Sequence, residues 1–302
     1  MQNIMNGPDT NIGKVLSTAE CLLSAAGIKS AETEAAILLG FFLDLKRIDL
    51  YCQRNEILKP EILSKFKSAV NKRCANFPLQ YITGETYFYG LRLIIREGVF
   101  IPRPETEILV EKIIKIAEIN YLNSLKILEL CTGSGNISVS LTKNIQYCTI
   151  ISSDINTKAL DLARDNALRH AVSERINFIQ SDLFAVLENN NEYQLASNCF
   201  DMIVANPPYV SLEQMNELPA DVLKEPKEAL YGGNDGLDFY RKIIEQSRDF
   251  LKKSGYIAFE FGDKQAKDIE QIIELSKLFD QIEFFADLNG IYRFVIARRI
   301  NG

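Results

Sequence analysis

From Leu122 onward the chain repeats one pattern, a short apolar run followed by a stretch with the periodicity of an amphipathic helix. The runs are Lys126–Leu130, Cys148–Ser153, Ile176–Gln180, Phe200–Ala205, Tyr256–Phe261, Ile282–Ala286 and Tyr292–Ala297. Helical patterns such as Thr157–His170 and Leu237–Lys252 fall between the first five. Parallel neighbours need a crossover, and a crossover helix needs a sheet on which to bury its apolar stripe. The alternation therefore predicts an α/β fold, a parallel sheet with helices on both faces. Only Asp287-Leu288-Asn289-Gly290 separates the last two runs, which is too short for a crossover, and Asn-Gly is a hairpin signal. The last strand is thus expected to run antiparallel in a seven-stranded sheet.

The region before this sheet reads differently. Residues 12 to about 75 have helical texture, with Ser30 ahead of Glu32 and Glu34 marking one helix start and Pro60-Glu61 another. From Leu79 to Ile101 the chain is β-rich, and Gly90 between two runs predicts a hairpin. Pro102-Arg103-Pro104-Glu105-Thr106-Glu107 then leads into an amphipathic helix. We expect a small helical domain over 1–76, a β-hairpin linker over 77–104 and the large domain over 105–302.

Composition narrows the chemistry. No stretch approaches the roughly 18 apolar residues that span a bilayer, and Met1 to Asn11 lacks a signal-peptide pattern. Cys21, Cys52, Cys74, Cys131, Cys148 and Cys199 form no Cys-x-x-Cys pair, and His170 is the single histidine. These features predict no metal site and no disulfide framework, and fit a cytoplasmic protein. Residues 1–95 carry 11 Lys/Arg against 9 Asp/Glu, the remainder 23 against 31, so no strong basic face is available for a nucleic-acid backbone. The modest run Lys59, Lys65, Lys67, Lys72, Arg73 reads as a solvated helix face, with partner contact left open.

Ile127-Leu128-Glu129-Leu130-Cys131-Thr132-Gly133-Ser134-Gly135-Asn136 is an apolar strand entering a glycine turn and a helix. A dinucleotide fingerprint would place a third glycine at Ser138, so pyrophosphate binding is disfavoured. An acid four residues before the first glycine suits a cofactor ending in an amino acid, whose ammonium Glu129 can attract. Asp154 closes the next strand, where an acid can accept ribose hydroxyls; Asp182 and Leu183 follow the third, where they can hold adenine. One such acid is commonly a solvated loop residue, but three in register at strand ends point to a ligand. Seven strands, a terminal hairpin and this loop resemble the Rossmann-like methyltransferases, whose cofactor is S-adenosyl-L-methionine.

Asn206-Pro207-Pro208-Tyr209 follows the fourth strand. Two prolines stiffen the loop and remove two N–H donors, leaving the Asn206 side-chain oxygen and the Pro207 carbonyl as acceptors beside the flat face of Tyr209. That set suits a planar –NH₂ group. Accepting from both N–H bonds orients the nitrogen for in-line attack, and the proton can leave after transfer. The alternative is a merely proline-stiffened turn.

Together these segments resemble the protein-(glutamine-N5) methyltransferases of peptide-chain release factors over nearly the whole chain. The resemblance includes Pro78-Leu79-Gln80-Tyr81-Ile82, Phe88-Tyr89-Gly90-Leu91 and Ile101 to Glu107. It continues through Glu129 to Gly135, Asn206–Tyr209, Glu225-Pro226 and Gly232-Gly233 with Asp235-Gly236-Leu237. It implies that Asn206 and Pro207 bind the glutamine amide of a Gly-Gly-Gln loop while Tyr209 packs on it. Cys131, Thr132, Gly133, Ser134, Gly135, Asp154, Leu183 and Asn206 would hold the cofactor, and the helical domain would bind the release factor. Cys131 stands where many members have glycine, and Leu183 where some have an aromatic residue. Glu188–Asn198 is a polar insertion without a role. The tetrapeptide is shared with adenine and guanine amino-methyltransferases, so a DNA or RNA enzyme is the rival; a non-catalytic binding module is a third reading.

Overall fold

The computed structural model describes residues 10–121, 123–189 and 198–301. The first residues of the chain and most of the Glu188–Asn198 insertion lie outside them. Two compact units emerge. One comprises the chain to Gly84 together with Pro219–Lys224; the other comprises Glu85–Leu218 and Glu225–Gly302.

The first unit contains α1 (Ile12–Ala25), α2 (Ala31–Leu43), α3 (Arg47–Cys52), α4 (Pro60–Cys74) and α5 (Leu79–Thr83). Asn11 caps α1 by accepting from the Lys14 amide at 2.9 Å, and α4 starts at Pro60 as expected. Ser30 is the N-cap of α2, but its hydroxyl donates to Glu34 rather than capping the backbone. The segment from Leu79, read as the start of a β-rich stretch, opens instead as α5. The Pro78 carbonyl accepts from Tyr81 and Ile82, and Leu79 and Ile82, three residues apart, pack on the helical core. Burial of that shared face outweighs local β propensity.

Arg73 departs from the solvated face suggested for the basic run. Lys59, Lys65 and Lys72 are exposed, whereas Arg73 is buried, its Nε 2.5 Å from Glu34 and its Nη2 3.2 Å from Asp221. The pair with Glu34 is almost fully removed from water, so losing one partner strands the other. Arg73→Ala is expected to destabilise this unit by about 3–5 kcal/mol in chemical denaturation, whereas Lys65→Ala should change stability by less than about 0.5 kcal/mol.

The second unit opens with the expected hairpin, β1 (Glu85–Phe88) and β2 (Leu91–Ile94), paired antiparallel. There follow α6 (Thr106–Asn120), β3 (Leu125–Leu130), α7 (Asn136–Asn144), β4 (Cys148–Asp154), α8 (Thr157–Arg169), β5 (Ile176–Gln180) and α9 (Ala185–Asn189). The chain continues through β6 (Phe200–Ala205), α10 (Leu212–Met215), α11 (Asp238–Phe250), β7 (Leu251–Glu260), α12 (Ala266–Ser276), β8 (Phe279–Ala286) and β9 (Tyr292–Arg299).

β3 to β9 form one seven-stranded sheet in the order β5-β4-β3-β6-β7-β9-β8, with β9 antiparallel to both neighbours. The expected parallel sheet with a terminal hairpin is therefore present. Its turn is held by Asp287, whose carboxylate accepts from the amides of Asn289 and Ile291. Successive residues of the central strands enter opposite apolar clusters. Met202 and Val204 join the cluster with Val139 and Ala163, while Ile203 and Ala205 join the one with Tyr240 and Ile269. Helices thus cover both faces.

Candidate active site

β3 and β6 are hydrogen-bonded neighbours, yet their following helices pack on opposite faces. Diverging loops at such a switch point leave a crevice at the carboxyl ends of the strands. With Leu130 paired to Ala205, the loop beginning at Cys131 and the tetrapeptide beginning at Asn206 start side by side. Asp154 ends β4, on the other side of β3, and Asp182 follows β5.

Glu129 is 1% exposed. Its Oε2 accepts from the Thr132 hydroxyl at 2.6 Å and the Ser152 hydroxyl at 2.8 Å, while Oε1 has no hydrogen bond of normal geometry among the described residues. Burial pushes its pKa up to about 7 against the hydroxyls of Thr132, Ser152 and Ser138. Asp154 holds the glycine loop in place, accepting from the Gly133 amide at 2.8 Å and the Asn156 amide at 2.9 Å. Burial also raises its pKa. The Cys131 thiol is driven well above its usual range, first by burial and then by the charges of Asp154, Asp182 and Glu129. The charges of all three acids picked from the sequence thus reach the Cys131 thiol. Cys131 has φ 57°, a left-handed conformation that explains why glycine suits this position. Ser134 is buried and Asp182 exposed, while Leu183 is buried in the apolar cluster around α11.

In the tetrapeptide Pro207 and Pro208 are buried, and Asn206 and Tyr209 half-buried. A second layer fixes the loop. Gln265 donates to the carbonyls of Tyr209 (3.0 Å) and Gly236 (3.3 Å), and Val210 donates to the Leu230 carbonyl and accepts from the Gly232 amide. A Cβ on Gly232 would lie 2.5 Å from the Pro208 carbonyl oxygen, so only glycine lets these backbones meet. The Gly-Gly-x-Asp-Gly-Leu segment is thus a backing for the tetrapeptide. The Pro-Arg-Pro segment also reaches this point. Arg103 pairs with the buried Glu225 at 2.5 Å, and Thr106 donates to Glu260 at 2.5 Å. Burial pushes the Glu260 carboxyl up to about 7, and Asn206 is among the groups that favour its ionised form.

Comparison with known proteins agrees. The PrmC N-terminal domain matches residues 14–84, and the Eco57I restriction-modification methylase family matches residues 109–286. The chain is 38% identical to the release factor glutamine methyltransferase of Thermodesulfovibrio yellowstonii, covering 88% of this chain and 92% of that protein. It is 36% identical to the enzyme of the same name from Clostridium botulinum, over 92% of this chain and 95% of that one. This chain belongs to the release factor glutamine methyltransferase family. Among solved structures, the hMettl16 catalytic domain in complex with MAT2A 3′UTR hairpin 6 shares the fold. It has a TM-score of 0.52 at 13% identity, over 79% of this chain and 82% of that one.

In this methyltransferase, Thr106, Glu225, Glu260 and Gln265 were not singled out as site residues by sequence reasoning. A signal for Glu260 exists. It is a lone acid near the end of an apolar strand, Ile257-Ala258-Phe259-Glu260-Phe261, just as Glu129 is in Ile127-Leu128-Glu129-Leu130. Gln265 carries no such mark, because its bonds run to residues distant in sequence. No group of three or more His, Cys, Asp or Glu able to hold a metal occurs among the described residues, nor any helix long and apolar enough to cross a membrane.

The two loop glycines differ physically. Gly135 has φ 77°, and a Cβ there would lie 2.9 Å from the Ala163 Cβ on α8; Gly133 has φ 56° with nothing within 4 Å. Gly135→Ala is expected to cost on the order of 2–4 kcal/mol in urea titration, from backbone strain plus overpacking, and Gly133→Ala about 1 kcal/mol. A larger loss for Gly133→Ala would contradict the packing role given to Gly135.

Proposed function

We propose that the chain transfers a methyl group from S-adenosyl-L-methionine to the side-chain amide nitrogen of the glutamine in the Gly-Gly-Gln motif of peptide-chain release factors. The observation that carries this reading is the pairing of Leu130 with Ala205, which sets an acid-glycine loop beside an Asn-Pro-Pro-Tyr loop in a chain of this family. The helical domain over 1–76 would recognise the release factor, the 77–104 hairpin would link it, and 105–302 would carry the chemistry.

The residues fit the cofactor. A buried carboxylate with an unsatisfied oxygen suits an ammonium, and the open space at Gly133 admits a ligand against the backbone. Glu129 and the loop Cys131, Thr132, Gly133, Ser134 and Gly135 would hold the methionyl end. Asp154 would accept the ribose hydroxyls, and Asp182 and Leu183 would border adenine. S-adenosyl-L-methionine supplies an electrophilic methyl on a sulfonium. Asn206 Oδ1 and the Pro207 carbonyl would accept the two amide N–H bonds, Pro208 would stiffen the loop and Tyr209 would pack on the amide plane. The nitrogen is then oriented for attack without a prior deprotonation, and one proton leaves after transfer.

The match of residues 109–286 to the Eco57I restriction-modification methylases favours a nucleic-acid amino group as the competing acceptor. That match covers the large domain alone. The N-terminal family match, relatives similar over most of the chain and the acidic balance beyond residue 95 support a protein acceptor.

Incubation with methyl-labelled cofactor and a release factor, a copy lacking the Gly-Gly-Gln glutamine, DNA and RNA tests the reading. Label in the native factor alone is expected; label in nucleic acid instead would overturn it. Asn206→Ala should lower turnover at saturating cofactor by about 10²-fold or more, whereas Asp154→Ala should chiefly weaken cofactor binding.

The pKa of Glu129 adds a pH signature. An ammonium favours the ionised carboxylate, so binding lowers a pKa that stands near 7 in the free protein. Cofactor affinity should therefore rise with pH up to about 7, by at most about tenfold per unit, and level off above. Calorimetry in buffers of differing ionisation enthalpy should show proton release below that pH, and Glu129→Gln should abolish it.

A further inference from the structure

Glu260 stands one residue beyond Phe259, which pairs with Ala205, so Glu260 and Asn206 occupy matching positions at the ends of adjacent parallel strands. The Glu260 side chain is 2% exposed, and its Oε2 accepts from the Thr106 hydroxyl at 2.5 Å. Asn206 is among the groups that favour the ionised form of this carboxyl, the sense in which an amide N–H facing a carboxylate acts. The candidate mechanism uses neither Glu260 nor Thr106.

A side-chain amide can present its oxygen or its NH₂ in nearly the same space, and only its hydrogen-bond partners decide which. An ionised carboxylate accepts and cannot donate, so it takes only the NH₂ end. We propose that Glu260 is a positioning residue whose ionised carboxylate, held by Thr106, binds the Asn206 NH₂ and so turns Asn206 Oδ1 toward the acceptor nitrogen. This rests on the methyl-transfer reading above and adds a residue to it. A protonated Glu260 becomes a donor, and the reversed amide, which offers the acceptor no oxygen, is then permitted.

Burial pushes the Glu260 carboxyl up to about 7, so this change falls near neutrality. The groups facing it come from several elements. Thr106 and the Arg293 guanidinium on β9 favour ionisation, and Glu105 at the entry to α6 opposes it. Arg293 is itself paired with Asp287 at 3.4 Å. The Tyr209 phenol lies within the field of the Glu260 charge, and the Tyr240 hydroxyl donates to the Glu260 main-chain carbonyl at 2.8 Å.

The test is turnover of the full chain against pH, from about 5.5 to 9, with labelled S-adenosyl-L-methionine at saturation and a release factor as acceptor. The wild type is compared with Glu260→Gln and Thr106→Val. Wild-type kcat is expected to fall about tenfold per unit below an apparent pKa near 7. Glu260→Gln should lack that limb and turn over roughly 10- to 100-fold more slowly at about pH 8, with cofactor affinity within about twofold of wild type. Thr106→Val removes a bond to the ionised form, so its limb should move to higher pH. Wild-type turnover and an unchanged limb in Glu260→Gln would overturn the proposal. If that variant does not fold, an unshifted limb in Thr106→Val does so instead. Wild type that labels DNA or RNA but no release factor sinks the acceptor assignment alone, and the same limb is then read on that acceptor. Absence of label in every acceptor overturns both.

Discussion

The structure of the large unit depends on two neighbouring parallel strands that send the chain to opposite faces of the sheet. β3 and β6 are hydrogen-bonded side by side, and the helices that follow them pack on different sides. The loops must therefore part at the carboxyl edge. Apolar residues alternate between the two clusters along β6, β7 and β9, so a one-residue slip would turn each strand inside out. Burial on both faces fixes the register, and the register brings the Glu129 loop and the Asn206 loop together.

A second feature follows from the strand order. β6 lies between β3 and β7, and each of those neighbours carries one buried glutamate near its carboxyl end. Glu129 is held by the hydroxyls of Thr132 and Ser152, and Glu260 by that of Thr106. Hydroxyls compensate desolvation only in part, which leaves both carboxyls near neutrality in pKa rather than firmly ionised. By contrast, Glu34 and Glu225 are buried against the guanidinium groups of Arg73 and Arg103. The molecule thus treats these four buried glutamates in two ways. Those paired with arginine tie segments together, and those paired with hydroxyls flank the tetrapeptide strand.

The specific sequence segments outside the tetrapeptide acquire a physical meaning in this frame. Gly232 and Gly236 are small because the backbone of Pro208 and Tyr209 passes against them. Arg103 and Thr106 carry the Pro-Arg-Pro segment to Glu225 and Glu260. Tyr89, in a left-handed turn with φ 47°, donates its amide to Glu107 of the same segment. Rigidity of this kind suits chemistry that relies on orientation rather than on a strong base.

Much was legible in the order of residues alone. Periodicity set the strands, the helices between them and the antiparallel end, because burying one face or two leaves a regular mark. The acids and the tetrapeptide could be placed because each lies at or just beyond the carboxyl end of a strand. Tertiary structure decided the rest. Whether Leu79–Thr83 coiled or extended depended on the helical core available to it. The burial of Arg73 depended on Glu34, 39 residues earlier, and on Asp221, 148 residues later. The bond of Glu260 to Thr106 spans 154 residues, and Gln265 reaches back 56 to Tyr209. A periodic pattern is local and survives in the sequence; a hydrogen bond across such separations leaves no local trace, and only folding creates it.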